Sequence, residues 1–319
     1  MLLAGCVSST LEIDQKAVQP IPAKLVTTMK SRGMTPADPV VVRIFKQESE
    51  LEIWKRDHTG RYALLKTYPM CRWSGKLGPK TRMGDRQAPE GFYHVSTGML
   101  NPKSQYYLSF NLGYPNRLEA ALGYTGEALM VHGACSSSGC YAVTDEGVAE
   151  IYAVVREALK GGQTSFQVQA YPFRMTPKNM ARYASDPNYG LWQTLKRGYD
   201  LFEVTKQPPQ VGYCGRRYVF AAAGTTGLPT DPLAACPPEN EDPLVASRAE
   251  RERKMVESFL AEGSRMTAYA YADGGMHPVF RKVLQRDGAK KLAKMTSLTS
   301  VPVSRPEAAL ADPHVPGKE

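Results

Sequence analysis

Short runs of β-branched and aromatic residues dominate the first two thirds of the chain. Residues 166–170, for example, alternate apolar and polar side chains, which is the pattern of a half-buried strand. Residues 57–60 separate two such runs and have the composition of a hairpin turn. The runs predict a mostly antiparallel β domain with strands at 40–45, 51–54, 62–65, 91–95, 106–111, 128–132, 166–170 and 217–223.

Helical spacing interrupts this pattern after residue 144. Thr144 and the acidic residues after it form an N-terminal capping signal, and Gly161-Gly162 forms a C-terminal one. Between them, apolar residues recur at 148, 151, 152, 155 and 159. Further helices are predicted at 21–34, from residue 176 onward, and at 191–202. The predicted fold class is therefore α+β, a mostly β domain with flanking helices.

The composition changes again after Cys236. Residues 237–243 are rich in proline and acidic side chains, as in a linker. Residues 246–260 mix basic and acidic side chains, which is typical of a solvated helix, and 304–319 have the composition of a disordered tail. We divide the chain into four segments. Residues 1–6 form an N-terminal segment, 7–38 a leader with a short helix, 39–236 the main domain and 237–319 a charged extension. The extension is predicted to be mostly helical or disordered, with no function assigned.

Composition excludes several classes of protein. The chain has 319 residues, of which 42% are hydrophobic, so it is not disordered throughout. Its formal net charge is +9, but the basic residues are spread along the chain, and no nucleic-acid partner is predicted. No apolar run approaches the roughly 18 residues that a membrane-spanning helix needs.

The first six residues, Met-Leu-Leu-Ala-Gly-Cys, resemble the lipobox of bacterial lipoproteins, in which the cysteine receives lipid. The basic part and most of the apolar part of a signal peptide are missing, so this segment is interpreted as truncated. The interpretation implies a periplasmic protein whose membrane contact is a lipid anchor on Cys6. Val7 does not resemble an inner-membrane retention signal, which favours the outer membrane. The alternative is an ordinary apolar N-terminus.

Cysteine content agrees with export. The chain has six cysteines, so without Cys6 an odd number remains in a compartment where disulfides persist. One thiol should stay free, and a leftover thiol is a candidate nucleophile. If that thiol is Cys140, the other four are Cys71, Cys135, Cys214 and Cys236. Four cysteines allow three pairings, and the sequence does not choose among them.

Residues 130–142 hold the most reactive combination of side chains. A thiol becomes a good nucleophile beside an imidazole or a helix N-terminus, and His132 precedes Cys140 by eight residues. The residues between them are small, and Gly139 permits a tight turn. The backbone N–H of Gly139, with that of Cys140 or Tyr141, is a candidate oxyanion donor. This pattern predicts a Cys-His pair for acyl transfer that requires no metal or cofactor.

Two other interpretations of this segment remain open. His132, Cys135 and Cys140 could bind zinc, although a structural zinc site needs four ligands and no C-x-x-C pair is present. Alternatively, Cys135 and Cys140 form a small disulfide, and the loop is structural.

The segment resembles the L,D-transpeptidase (YkuD-like) catalytic-domain family of bacterial cell-wall enzymes, and within it the YafK-like murein branch. His132-Gly133 and residues 137–140 occupy the places of the family's upstream His-Gly and its Ser/Thr-His-Gly-Cys motif. Residues 88–93 loosely match a family turn that precedes a strand. Further matching stretches lie at 68–71, 74–80, 84–85 and 107–111. The resemblance covers about residues 40–220 and makes 39–236 the catalytic domain.

The resemblance implies a largely β fold and a cysteine enzyme acting on peptidoglycan stem peptides that contain meso-diaminopimelate. Cys140 would form a thioester, and His132 would carry the thiol proton to the leaving amine. Two positions depart from the family, because Ser138 replaces a second histidine and Ala142 replaces an arginine. The implied catalytic residues are Cys140, His132, Gly133, Ser138 and Gly139.

Basic side chains crowd the loop before residue 88 and are candidates for holding the carboxylates of an acidic stem peptide. They are Lys76, Lys80, Arg82 and Arg86. The resemblance adds Asp85 and Tyr107, and Tyr141 beside the nucleophile completes the substrate-binding set. The alternative is a solvated loop face.

Two reactions compete within this class. Hydrolysis of the amide that links murein to its lipoprotein is favoured, because the departures at Ser138 and Ala142 weaken the transpeptidase pattern. Transpeptidation is the alternative, and both imply stem peptides as substrate and the murein lipoprotein as a partner. A hypothesis from another class is a non-catalytic wall-binding lipoprotein, in which a disulfide between Cys135 and Cys140 blocks the thiol.

Overall fold

The computed structural model describes residues 15–238, 242–263 and 275–297. In chain order its strands are β1 (Val40–Phe45), β2 (Glu50–Arg56), β3 (Tyr62–Pro69), β4 (Arg72–Trp73), β5 (Gly91–Ser96), β6 (Leu100–Asn101), β7 (Ser109–Asn111), β8 (Met130–His132), β9 (Tyr141–Ala142), β10 (Ser165–Tyr171), β11 (Gln210–Cys214) and β12 (Arg217–Ala221). Its helices are α1 (Ala23–Ser31), α2 (Arg117–Ala121), α3 (Asp145–Lys160), α4 (Pro177–Arg182), α5 (Tyr189–Thr205), α6 (Pro243–Ala261) and α7 (Pro278–Thr296). Cys6 and residues 304–319, with their predicted lipidation and disorder, lie outside the described residues.

Two five-stranded sheets form the frame of the described chain. Their strand orders are β3-β2-β1-β10-β5 and β4-β9-β8-β7-β6, and β11 and β12 form a separate hairpin. Neighbouring strands are antiparallel except for the pairs β1–β10 and β8–β9, which are parallel. The predicted α+β class and mostly antiparallel sheets are confirmed.

The central strand β1 is buried along its whole length because its sequence, VVVRIF, is apolar on both faces except at Arg43. The Arg43 guanidinium lies 2.7 Å from a carboxylate oxygen of Glu203. It also lies over the rings of Tyr199 and Phe202, at 4.7 and 4.4 Å. The ion pair and the aromatic faces replace the water that a buried charge loses.

Helix α3 joins the two sheets and begins where the capping signal predicts. Thr144 Oγ1 accepts the backbone N–H of Gly147 at 3.0 Å. The apolar face of α3 contacts β1 and β10 of one sheet and β7 and β8 of the other. The buried side chains Val148, Ile151 and Val155 fix the strand that carries His132 against the core.

Very short elements account for most differences from the predicted secondary structure. Strands β4, β6 and β9 have two residues each, too few to produce an alternating pattern. The strands predicted to begin at 106 and 128 begin at Ser109 and Met130. Helix α2 and strand β11 have no counterpart in the prediction, and α2 is five residues long.

Two disulfides pair four of the cysteines, Cys71 with Cys135 and Cys214 with Cys236. The thiol of Cys140 is free, which agrees with its predicted role. Because Cys135 is bonded to Cys71, the alternative disulfide between Cys135 and Cys140 is wrong.

Helix α7 of the C-terminal extension docks onto the main domain. Trp73 and Gly275 exchange backbone hydrogen bonds, both of 3.1 Å. Phe280, Leu284 and Leu292 pack in one cluster with the cysteines of the Cys71–Cys135 disulfide. This part of the extension therefore supports the loop that contains Cys135.

No helix in the described ranges is both long and apolar enough to cross a membrane.

Helix α6 lies against α4 and α5, so the predicted solvated helix is wrong for its inner face. There Arg248 lies 3.0 Å from Asp200, which also pairs with Lys196 at 2.6 Å. The outer face agrees with the prediction, because the Arg253 side chain is 57% exposed.

Candidate active site

The loop between β8 and β9 brings Cys140 back beside the strand that ends at His132. The two strands are parallel, with His132 opposite Ala142. Cys140 immediately precedes β9, and the backbone N–H of Met130 on β8 donates to its Sγ. The thiol is therefore held beside the strand that ends at His132.

Both side chains line one cavity of about 380 Å³, here called the thiol cavity. This volume lies in the range of small-ligand sites. The rest of its lining is Lys80, Met83, Gly84, Tyr106, 126–129 and 136–139. The predicted catalytic residues Ser138 and Gly139 thus lie at the same cavity as the Cys-His pair.

Cys140 is a half-buried, protonated thiol. The backbone N–H of Met130 donates to Sγ at 3.4 Å, and the thiol lies 3.8 Å from the carbonyl oxygen of Ala128. Burial raises the pKa of the Cys140 thiol, and the Met130 N–H and the Lys80 charge offset only part of that effect. The nucleophile therefore needs a base to remove its proton.

His132 has the properties of that base. It is 3% exposed, and burial lowers its pKa to about 4, so the ring is neutral at pH 7. Nδ1 lies 2.5 Å from the carbonyl oxygen of Gly133, which assigns the ring proton to Nδ1. Nε2 is then the nitrogen with a free lone pair.

Tyr106 contacts the base and is absent from the predicted site residues. Its ring centroid lies 4.7 Å from that of His132, with the planes tilted by 37°. Its carbonyl oxygen accepts the N–H of Gly133 at 3.0 Å, so the segments that carry Tyr106 and His132 are tied together. Nothing in the sequence distinguishes Tyr106 from the neighbouring Tyr107.

Gly133 is required by close packing behind the imidazole. A Cβ atom at this position would lie 2.4 Å from Oδ1 of Asp145. The same oxygen accepts the N–H of Ala134 at 2.7 Å, while Oδ2 lies 3.3 Å from Ser297 Oγ. Asp145 at the start of α3 thus connects the turn after His132 to the end of α7.

Ser137 organises the turn before the nucleophile. Its Oγ accepts the backbone N–H groups of Gly139 and Cys140 at 3.3 and 3.1 Å, and its hydroxyl donates to the Cys140 carbonyl at 2.8 Å. The hydroxyl of Ser74 donates to Ser137 Oγ at 2.7 Å. The N–H groups of Gly139 and Cys140, two of the three candidate oxyanion donors, are therefore engaged by Ser137 in this structure. The sequence signal was available, since Ser137 occupies the Ser/Thr place of the family motif.

Lys80 is the member of the predicted substrate-binding set that lines the thiol cavity. Its side chain is 5% exposed and forms an ion pair with Asp85. Its Nζ also donates to the carbonyl oxygen of Arg82 at 2.8 Å. A Cβ at position 126 would lie 2.6 Å from Lys80 Cε, so Gly126 leaves room for this side chain. The ammonium group is held rigidly beside the thiol.

Three other predicted residues, Lys76, Arg82 and Asp85, line a neighbouring cavity of about 560 Å³, here called the loop cavity. Asp85 accepts the N–H groups of Thr81, Arg82 and Gln87 at 2.9 to 3.0 Å. Burial raises the pKa of Asp85, but the Lys80 ammonium and these N–H groups outweigh it and hold the pKa below its usual value. The loop is therefore wound around an ionised carboxylate.

The remaining predicted substrate residues line neither cavity. Arg86 is half-buried with a left-handed φ of 56°, and Tyr107 lies under Lys16, whose Nζ is 4.9 Å from the ring centroid. Tyr141 is fully buried, and its hydroxyl donates to the carbonyl oxygen of Pro89. The side chain of Tyr141 is thus part of the core.

The predicted zinc alternative loses one ligand. Cys135 is bonded to Cys71 and cannot act as a thiolate beside His132 and Cys140. Across the described ranges, no group of three or more His, Cys, Asp or Glu side chains is arranged to hold a metal ion.

Both Cys140 and His132 lie within the part of the chain that matches a known protein family. The family model of the L,D-transpeptidase catalytic domain, YkuD, matches residues 39–168. The chain is 48% identical over 183 residues to YafK, described as an L,D-transpeptidase, from Escherichia coli K12. The alignment covers 57% of this chain and 74% of that protein, and the same values hold for YafK of Escherichia coli O157:H7.

Solved structures are more distant. Pgp2 of Campylobacter jejuni, a helical cell shape determining protein, is 16% identical over 60% of this chain and 80% of its own, with a TM-score of 0.35. Bd1075 of Bdellovibrio bacteriovorus is 16% identical over 56% of this chain and 78% of its own, with a TM-score of 0.31. These scores carry no argument about function.

Proposed function

Because this chain belongs to the L,D-transpeptidase catalytic-domain family, we propose that it is a cysteine acyl-transfer enzyme acting on peptidoglycan stem peptides that contain meso-diaminopimelate. The observation that carries the proposal is that a free thiol, Cys140, and a buried neutral imidazole, His132, line one cavity. Membership in the family implies the peptidoglycan substrate.

Acylation begins with both groups neutral. As Cys140 Sγ attacks the carbonyl carbon of diaminopimelate, the thiol proton passes to Nε2 of His132. The tetrahedral intermediate then collapses, the C–N bond breaks, and the leaving amine takes the proton from Nε2. The products of this step are a thioester on Cys140 and a free amine.

Charge develops on the carbonyl oxygen during this step. The ammonium group of Lys80, held at the wall of the cavity, supplies electrostatic stabilisation. The N–H groups of Gly139 and Cys140 can add to it by exchanging Ser137 Oγ for the oxyanion. Ser138 is exposed at the cavity and leaves room for the substrate.

Deacylation by water makes the enzyme a hydrolase, and we favour release of the murein lipoprotein from diaminopimelate. Water adds to the thioester carbon as its proton passes to Nε2; the C–S bond then breaks, Sγ takes the proton from Nε2, and diaminopimelate leaves with a free carboxyl group. The support is the chemistry of the site, where Ser138 and Ala142 replace a histidine and an arginine of the family pattern. Ala142 is fully buried in the cluster that contains Cys71 and Cys135. Its small apolar side chain supplies no positive charge at the position of the family's arginine.

The proposed location is the periplasm, with an anchor to the outer membrane through lipid on Cys6. Two disulfides, Cys71–Cys135 and Cys214–Cys236, suit an oxidising compartment and support export. The anchor itself rests on the sequence of residues 1–6.

The test separates the two reactions. The chain carrying Cys6→Ser, which prevents lipidation, is incubated with sacculi that still carry covalently attached lipoprotein, beside a Cys140→Ala control. Mass spectrometry of the muramidase digest should show stem peptides freed of lipoprotein residues with the active chain alone. New diaminopimelate cross-links would instead establish a transpeptidase. Identical, unchanged digests for both chains would overturn the catalytic proposal.

A further inference from the structure

A separate cavity of about 350 Å³ lies between helix α2, the start of α5 and the β11–β12 hairpin. Leu118, Leu122 and Leu191 supply apolar surface, and Arg216 and Arg217 supply positive charge. Neither Cys140 nor His132 lines it, so it is distinct from the thiol cavity. It is here called the arginine cavity.

The turn that presents the arginines is fixed in place. Arg216 has a left-handed φ of 61°, and its N–H donates to the carbonyl oxygen of Pro232 at 2.7 Å. The Cys214–Cys236 disulfide joins the same two stretches of chain. A left-handed residue other than glycine persists only where its surroundings determine it. The arginine cavity is therefore pre-formed on this side.

The acidic groups that line the cavity are largely compensated. Glu90 forms an ion pair of 2.9 Å with the buried Lys46. Glu119 accepts hydrogen bonds from the Tyr93 hydroxyl at 2.6 Å and the Asn116 N–H at 2.7 Å, and burial raises its pKa to about 7. The Arg216 guanidinium at the rim therefore adds positive charge beside carboxylates that are already paired or hydrogen-bonded, and the cavity suits an anion.

The arginine cavity adjoins the thiol cavity across two hydrogen-bonded segments. The N–H of Thr125 donates to the Thr81 carbonyl at 3.1 Å, and Thr125 Oγ1 accepts the N–H of Met83 at 3.0 Å. Leu122, just before this crossing, lines the arginine cavity, and residues 126–129, just after it, line the thiol cavity. The two cavities therefore lie on either side of the segment that contains Thr125.

We propose that the arginine cavity binds a second, carboxylate-bearing stem peptide while the first occupies the thiol cavity. The inference rests on the proposed function, which supplies the peptidoglycan substrate. A guanidinium matches a carboxylate with two parallel hydrogen bonds. The leucine surface of the cavity matches the methyl groups of alanine. The enzyme thus recognises neighbouring stems of the wall, not one isolated peptide.

The test measures binding without turnover, using the full chain with Cys140→Ala. The probe is the tripeptide L-alanyl-γ-D-glutamyl-meso-diaminopimelate, and amide chemical shifts are followed by NMR during titration. Shifts are expected at Leu122 and Thr194 of the arginine cavity as well as at Ser138 of the thiol cavity. Arg216→Gly suits the left-handed backbone and should weaken binding at the arginine cavity about tenfold. Its effect on the Ser138 titration should be negligible.

Lys206→Gly is the matched control. Lys206 also carries one positive charge on a left-handed backbone, with φ of 53°, and lines neither cavity. The proposal is overturned if the tripeptide shifts only amides of the thiol cavity, or if the two glycine variants weaken binding equally. Turnover of sacculi by the active chain is measured separately, so either result leaves the acyl-transfer proposal intact.

Discussion

Ser137 Oγ lies 3.1 Å from the backbone nitrogen of Cys140 and accepts its N–H. Because the same oxygen also binds the N–H of Gly139, a single buried hydroxyl sets the conformation of the turn that presents the nucleophile. Ser137 is thus a positioning residue, which acts on the thiol through the backbone.

Replacing Ser137 with alanine should lower kcat about ten- to a hundredfold, because two buried N–H groups lose their acceptor and the turn relaxes. The free energy of unfolding should fall by about 1–3 kcal/mol for the same reason. Ser137→Thr keeps the hydroxyl and should retain most of the activity. Ser136→Ala, at the neighbouring half-buried serine of the same cavity, serves as the control. A wild-type kcat for Ser137→Ala would contradict this role.

The pH dependence should show two neutral reacting groups. The pKa of His132 is lowered by burial to about 4, so kcat/KM should be lost only as the pH falls through about 4. Burial raises the pKa of Cys140, so alkylation by iodoacetamide should be slow at neutral pH and accelerate only in alkaline solution. Rapid alkylation on a plateau near neutral pH would indicate a thiolate–imidazolium pair and contradict the mechanism.

Tyr106 should affect catalytic activity through its aromatic ring, not through its hydroxyl. Tyr106→Ala removes the aromatic contact with His132 and should lower kcat/KM about two- to tenfold. It also admits water to the imidazole, so the acid limb of the pH profile should move up from about 4 toward the usual histidine pKa. Tyr106→Phe should behave like the parent chain. A purely structural role would lower stability and leave the acid limb in place.

The Cys71–Cys135 disulfide should support activity as well as stability. The double variant Cys71→Ser/Cys135→Ser should lose roughly 2–5 kcal/mol of unfolding free energy and also lower kcat, because Cys135 lies in the loop between His132 and Cys140. Cys214→Ser/Cys236→Ser is the matched control. It opens a shorter span of 22 residues, compared with 64, and should leave kcat unchanged. Urea unfolding and turnover measured side by side check both effects, and equal loss of kcat in the two variants would refute the distinction.

The free thiol of Cys140 and its place at one cavity with His132 could be predicted from local sequence. The signals are a strand ending at His132, a run of small residues and an odd number of cysteines. Helix α3 was predictable for the same reason, because its caps and its apolar spacing are local signals.

The surroundings of the pair depend on contacts between distant segments. Tyr106 reaches His132 because β7 pairs with β8, a relationship that leaves no mark on either sequence. Lys76 and Arg82 line the loop cavity because their loop winds around Asp85, which takes three backbone N–H groups. The disulfide pairing likewise required the fold, since four cysteines allow three pairings.

The most direct measurement of the central claim is the mass of the acyl-enzyme. The chain with Cys6→Ser is mixed briefly with a soluble murein fragment whose diaminopimelate carries a lipoprotein-derived peptide, quenched in acid, and mapped by mass spectrometry. The account predicts an added acyl mass on the peptide containing Cys140, absent in Cys140→Ala and formed much more slowly in His132→Ala. Consumption of the fragment with Cys140 unmodified, or equal consumption by Cys140→Ala, would contradict it.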